Sequence, residues 1–166
     1  MYFCIIINNQ ILHMKKITFI IVLSFITLIS AAQGEAPLAK GGRQLNFGVG
    51  FNTGGFPAYI GMDFAVHNDI TVGGVIGLDL NSFSSLDISA RGDYHFNRLL
   101  GITPNWDFYA GLNLGFRLGF NGNSGGLSLG GQVGGRYFWN EKWGVNLEFG
   151  GGLFGAGGKI GMTMKM

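Results

Sequence analysis

From Trp106 to Leu118 every even position is apolar: Trp106, Phe108, Ala110, Leu112, Leu114, Phe116 and Leu118. The odd positions are Asp107, Tyr109, Gly111, Asn113, Gly115 and Arg117. Successive side chains of a strand point to opposite faces, so this stretch has one continuous greasy face and one small, polar or charged face. In a chain that is 47% apolar, seven such matches in seven alternate places would arise by chance in roughly one window of 200. The run exceeds the usual soluble strand of about 5–6 residues and fits the roughly 9–11 needed to cross a bilayer at a tilt.

The pattern recurs. Clusters of turn residues divide the chain after residue 42 into eight alternating segments, which predict strands at 43–52, 58–66, 70–80, 86–96, 106–119, 127–139, 143–150 and 156–166. The apolar set runs from Leu45, Phe47, Val49 and Phe51 through Ile60, Met62, Ile76, Leu78, Leu86 and Ile88 to Leu127, Leu129, Val145, Leu147, Ile160 and Met162. Opposite it lie Asn46, Asp63, Thr71, Asp79, Asp87, Ser89, Arg91, Asp93 and His95. The same face continues with Gln132, Arg136, Asn146, Glu148, Lys159, Thr163 and Lys165, with many glycines between.

Alternation alone does not say which face is inside, because a soluble barrel would bury the apolar set. Composition points the other way. Only 12% of the 166 residues are charged, against about 25% in ordinary soluble proteins, and 31 are glycine. Glycine weakens a strand, and a solvated face has no use for it; a narrow lumen needs small side chains. The apolar face also ends in aromatics. Tyr94, Phe96, Trp106, Phe108, Tyr137, Trp139 and Trp143 flank residues 97–105 and 140–142, with Phe64 near 67–69. Phe51, Phe83, Phe116, Phe149 and Phe154 lie towards the opposite ends. Two aromatic belts around an aliphatic band are what the two membrane interfaces favour. An even number of strands and no disulfide match a closed barrel, which leaves no edge unpaired in lipid.

The N-terminus predicts export. Met14-Lys15-Lys16, an apolar run from Ile17 to Ile29 and Ser30-Ala31-Ala32 form a charged region, a short greasy region and a small-residue cleavage site. We therefore expect residues 1–13 to be a spurious upstream extension, 14–32 a signal peptide cut after Ala32, 33–42 a short leader and 43–166 the barrel. The single cysteine, Cys4, falls upstream of the cut, and no cysteine stands at the cleavage point for a lipid anchor. Losing Lys15 and Lys16 takes eleven basic residues to nine, against nine acidic ones, so the exported chain is formally neutral. Nothing in it suggests a nucleic-acid surface.

The segments ARGDYHFN (90–97), WDFYAGLNLGF (106–116) and GGRYFWNEKWGVNLEFG (134–150) carry a resemblance. Residues 43–166 resemble the small eight-stranded outer-membrane barrels of Gram-negative bacteria, the general outer-membrane β-barrel class that includes the small Omp-type proteins. The resemblance implies an antiparallel up-and-down transmembrane barrel in outer-membrane lipid, inserted by the barrel-assembly machinery and monomeric. The tight turns at 67–69 and 140–142 would lie on the periplasmic side. The chain departs from that class in ending Met164-Lys165-Met166, where many such barrels carry a terminal aromatic used in insertion.

Eleven inward charges are the candidate site: Asp63, Asp79, Asp87, Asp93, Asp107 and Glu148 against Arg91, Arg117, Arg136, Lys159 and Lys165. The interior of an eight-stranded barrel is just wide enough for side chains to fill, and buried charges there must be paired. A turn centred on Glu141 puts Arg136 opposite Asn146 and diagonal to Glu148. The same residues could instead line a constricted polar channel. His95 beside Asp93 hints at an acid–base pair, with Ser89 as the nearby inward hydroxyl, but the orienting third group is missing. His67 falls in a turn, and scattered histidines make no metal site. Arg91-Gly92-Asp93 spells an adhesion tripeptide whose charges point into the lumen, and Gly158-Lys159 lacks the rest of a phosphate loop. The expectation is a packed outer-membrane barrel of structural or surface-related role, without cofactor or catalysis. A narrow passive channel and a secreted soluble ligand-binding barrel are the alternatives.

Overall fold

The structure, a computed structural model, describes residues 37–52, 55–80, 83–122, 124–152 and 155–166. The expected upstream extension, signal peptide and first part of the leader, and Phe154, lie outside the described residues.

Eight strands follow one another: β1 (Arg43–Asn52), β2 (Pro57–His67), β3 (Ile70–Asp79), β4 (Ser85–His95), β5 (Trp106–Gly119), β6 (Gly126–Phe138), β7 (Trp143–Gly152) and β8 (Gly155–Lys165). Each pairs antiparallel with its sequence neighbours, and β1 pairs with β8 from Gln44↔Lys165 to Asn52↔Gly157, which closes the barrel. Every predicted strand is present, with ends within two residues of those expected. The connection after β4 differs: residues 97–105 hold a one-turn helix, α1 (Asn97–Leu100), stopped by Gly101 in the left-handed conformation (φ 63°). Asn97 holds it against the wall, its side chain donating to the Trp106 carbonyl and accepting from the Phe108 amide at 3.3 Å.

The distribution of side chains is inverted relative to a water-soluble protein. Among the described residues the buried apolar ones are Leu38, Ala65, Tyr109 and Phe138, whereas seventeen buried residues are polar or charged. The large aliphatic and aromatic side chains of the repeating apolar face lie outside; Leu112 is 69% exposed and Ile160 54%. A water-soluble sheet would hide that area, so the wall is suited to an apolar solvent.

The start of β1 and the end of β8, with the 68–69, 96–105 and 139–142 connections, lie at what we call the terminal end of the barrel; the other connections form the distal end. Aromatic rings cluster at the terminal end. Trp106 stacks parallel on Phe108 with ring centroids 5.8 Å apart and packs on Tyr137, its direct partner across the sheet, at 4.8 Å. Tyr94 meets Phe96 edge-on at 5.2 Å. Trp139 is exposed and Trp143 half-buried. Glycines do not keep strictly to the lumen: Gly74, Gly92, Gly131, Gly135, Gly151 and Gly158 face outward. Several serve as seats for rings. A Cβ on Gly135 would lie 3.2 Å from the Phe108 ring, and one on Gly158 would meet Phe51 at 2.5 Å.

Candidate functional site

Inside the barrel, large side chains face glycines directly across the strands. Asp63 lies opposite Gly73, Asp93 opposite Gly111, Tyr109 opposite Gly134, and Glu148 opposite Gly134 as well. A Cβ on Gly111 would sit 2.1 Å from Asp93 Oδ1, and one on Gly134 would fall 2.4 Å from the Tyr109 ring. The glycines are therefore the spaces into which the polar side chains fold, and they decide which residues can meet.

Two centres result, both on arginine. The Arg136 guanidinium, 1% exposed, donates from Nη1 to Asp107 Oδ2 at 2.7 Å and from Nη2 to Asp63 Oδ2 at 3.1 Å. It lies over the Tyr109 ring at 4.0 Å from the centroid. Asp63 Oδ2 also accepts from Gln44 at 3.0 Å and Asn46 at 2.8 Å. Arg91 donates from Nε to Asp93 and from Nη2 to Glu148, both at 2.7 Å. Glu148 accepts further from Lys159 at 2.9 Å and from the Tyr109 hydroxyl at 3.0 Å, while Asp93 accepts from Gln132 at 2.8 Å. Asn46, Thr163, Asn146 and Tyr59 continue the chain of hydrogen bonds across the β1–β8 seam. All eight strands contribute a side chain to the network once Thr71 and His95, described next, are included.

The expectation that Arg136 reaches diagonally to Glu148 is not met. Arg136 has Asp107 directly opposite it on β5 and Asp63 across the lumen, and Glu148 is taken by Arg91, Lys159 and Tyr109. His95 is likewise oriented by Asp107, at 2.7 Å from Nδ1, and not by its strand-mate Asp93, which Arg91 holds. Its hydroxyl neighbour is Thr71 at 3.0 Å from Nε2, not Ser89, because Thr71 stands beside it on β3. Thr71, His95 and Asp107 thus form a hydroxyl–imidazole–carboxylate chain in which each residue is at most 3% exposed. His67 stays on the outside, where its Nδ1 accepts from the Asp69 amide at 3.3 Å.

The remaining predicted residues spread to the two mouths. Arg117 grips Asp87 with two hydrogen bonds of 2.7 and 2.8 Å in the distal half. Asp79, at the distal rim, accepts from Ser84 at 2.6 Å. Lys165 lies at the terminal mouth with its ammonium 3.9 Å from the centre of the Phe138 ring. Phe138 itself, 1% exposed, is an inward residue the alternation rule could have found, since it shares parity with Arg136 and Gln132. Arg91 and Asp93 point inward and bind each other, so the adhesion-like tripeptide is not displayed. Among the described residues no cluster of His, Asp and Glu could hold a metal.

The network fills the lumen from Phe138 to the Arg91–Glu148 pair. Beyond it the distal half widens into a cavity of about 170 Å³, walled by Gly77, Gly130, Gly150 and Gly157 and lined by Tyr59, Asp87, Asn113, Arg117, Gln132 and Lys159. A further hollow of about 140 Å³ leads from it down to Arg91 and Glu148, where it stops. Together the two hollows form a cup beside the charge network.

No family model matches the chain, and no curated protein does. Solved structures do. The barrel is similar to the N-terminal β-barrel domain of Pseudomonas aeruginosa OprF, with TM-score 0.64 at 14% identity over 76% of this chain and 98% of that one. It is similar to a de novo designed transmembrane β-barrel, with TM-score 0.63 at 17% identity over 76% and 97%. The outer membrane protein OprG of Pseudomonas aeruginosa follows, with TM-score 0.56 at 12% identity over 81% and 99%. At such identities the likeness is one of fold: an eight-stranded barrel of the outer-membrane type.

Proposed function

We propose that this chain is an integral outer-membrane protein whose barrel has a structural or surface-related role, with a sealed lumen and no catalysis. The observation that carries the reading is the plug. Arg136, Asp63, Asp107, Arg91, Asp93 and Glu148 close the bore with paired charges, each at most 9% exposed. Opening a path would strip these charges of partners at a cost of several kcal/mol each. The inverted wall supports placement in lipid over a soluble ligand-binding barrel, because an apolar exterior of this extent would aggregate in water. The sealed position of Thr71, His95 and Asp107 supports the absence of catalysis. Export by the signal peptide, insertion by the barrel-assembly machinery and a monomeric final state complete the reading.

Two measurements test it. Membrane fractionation, followed by gel mobility with and without boiling, should give a compact, heat-modifiable membrane band; a freely soluble protein refutes the reading. Refolded protein in liposomes should pass no more solute than empty liposomes. Flux through the unaltered protein that Arg91→Ala or Arg136→Ala abolishes or alters would establish the channel instead.

A further inference from the structure

The distal cavity of about 170 Å³ carries no net charge among the residues that line it. Arg117 and Lys159 stand there with their counter-ions, Asp87 and Glu148. Both pairs are made: Arg117 takes both oxygens of Asp87, and Lys159 donates to Glu148 at 2.9 Å. Both also keep an exposed side. The side chain of Lys159 is 35% exposed and that of Asp87 33%. An ammonium has three N–H donors and each carboxylate oxygen two lone-pair sites, so Lys159 and Asp87 offer hydrogen bonds into the cup without releasing their partners. The approach is uncharged as well, since no Asp, Glu, Lys, Arg or His occurs in residues 52–57, 80–85, 119–126 or 151–155.

We propose that the cup is a binding site for a neutral, hydroxyl-rich ring, a pyranose sugar, taken up from the distal side. The inference rests on the membrane reading and the closed charge network above, and it gives the surface-related role a ligand class. Charge decides against ions. A bound carboxylate, phosphate or ammonium would find its countercharge already held in an ion pair, and breaking a pair leaves a charge without its partner. A hydroxyl is donor and acceptor at once, so it accepts from Lys159 and donates to Asp87 while both pairs stand. Size agrees. A cavity of about 150 Å³ holds benzene, so one of about 170 Å³ admits a six-membered ring. The hollow of about 140 Å³ below shares Asp87, Asn113, Gln132 and Lys159 with it and has room for the ring's substituents. The walls agree too. Gly77, Gly130, Gly150 and Gly157 present bare backbone, as strands do where a ligand approaches closely, and a pyranose ring has C–H groups to lay against it. Asn113 and Ser128 add an amide and a hydroxyl to the lining.

Ligand-detected saturation-transfer NMR reads binding directly. The full chain is refolded in a polyoxyethylene detergent, which carries neither sugar nor charge. It is offered D-glucose, D-galactose, D-mannose and N-acetyl-D-glucosamine in turn, with glycine betaine as a zwitterion and acetate as an anion. Two variants, each checked for heat-modifiable mobility, locate the site. Gly77→Val grows into the cup from a position where a Cβ meets nothing closer than 3.8 Å, and Lys159→Met removes the ammonium. The expected result is transfer to at least one of the four sugars, reduced several-fold in both variants, and none to betaine or acetate. Transfer to no sugar, transfer that both variants leave unchanged, or transfer to betaine or acetate in place of sugar overturns the inference. Maltose and lactose read the source: binding of a disaccharide assigns the site to the end of a glycan, and binding of the monosaccharide alone to a free sugar. Swelling of proteoliposomes in the same sugars separates the readings. Uptake through the unaltered protein overturns the closed lumen, whereas absence of both uptake and binding overturns the sugar site and leaves the closed lumen standing.

Discussion

The terminal and distal halves of the lumen are built from the same strands and the same alternation, yet one is packed solid and the other is open. In the terminal half three inward glycines are seats: Gly111 receives Asp93, Gly73 receives Asp63 and Gly134 receives Tyr109, and the seated groups meet in the middle. In the distal half several glycines face other glycines. Gly130 lies opposite Gly152, Gly150 opposite Gly157 and Gly152 opposite Gly155, so the wall thins there. The charged pairs follow suit. Those of the terminal half are dry, whereas Arg117 and Asp87 in the cup are 21% and 33% exposed.

The contrast can be broken by substitution. The largest effect is expected from Arg136→Ala, which leaves Asp107 buried without its arginine and Asp63 with only the 4.0 Å ion pair to Arg91; a loss of about 3–5 kcal/mol should appear as a lower urea midpoint of the refolded barrel. Gly134→Ala should follow, at about 1–3 kcal/mol, since the new methyl displaces the Tyr109 ring. Its distal counterpart Gly77→Ala, whose Cβ would meet nothing closer than 3.8 Å, should stay within about 0.5 kcal/mol. Equal losses at 134 and 77 would dissolve the distinction between seat and void. Tyr109→Phe removes the hydroxyl that donates to Glu148 and should cost about 1 kcal/mol in the same denaturation experiment. Arg117→Ala, in the wet half, should cost less than about 1 kcal/mol and lose sensitivity to salt. A loss there as large as at Arg136 would mean that the cup is as dry as the plug.

How far the sequence carried this picture depends on distance along the chain. Strand positions and the facing of each side chain are local, set by a period of two, and Trp106–Leu118 alone revealed them. Register between neighbours was nearly as legible: Arg136 does lie opposite Asn146. What no local pattern contains is the partner across the lumen. Arg136 meets Asp63, 73 residues away, only because the stagger accumulated around the closed barrel brings β2 and β6 to one height. The same holds for Arg91 and Glu148, 57 residues apart. The alternation gives Thr71 as inward but not as the neighbour of His95, although adjacent strands hold them. The helix α1 escaped because one turn of Asn97–Leu100 has no periodicity to detect.

The seam between β1 and β8 has a consequence for assembly. Thr163 donates to Asn46, 117 residues earlier, and the Met166 amide reaches the Arg43 carbonyl. All other strand pairs join neighbours in the chain and can zip as hairpins, but this one has to close a loop spanning the whole barrel. Until it does, β1 and β8 are both bare edges that offer a row of unpaired amides to any other chain. Closure is therefore the slow, long-range step and the moment of greatest exposure to misassembly, and the pairing of β8 with β1 is what ends it.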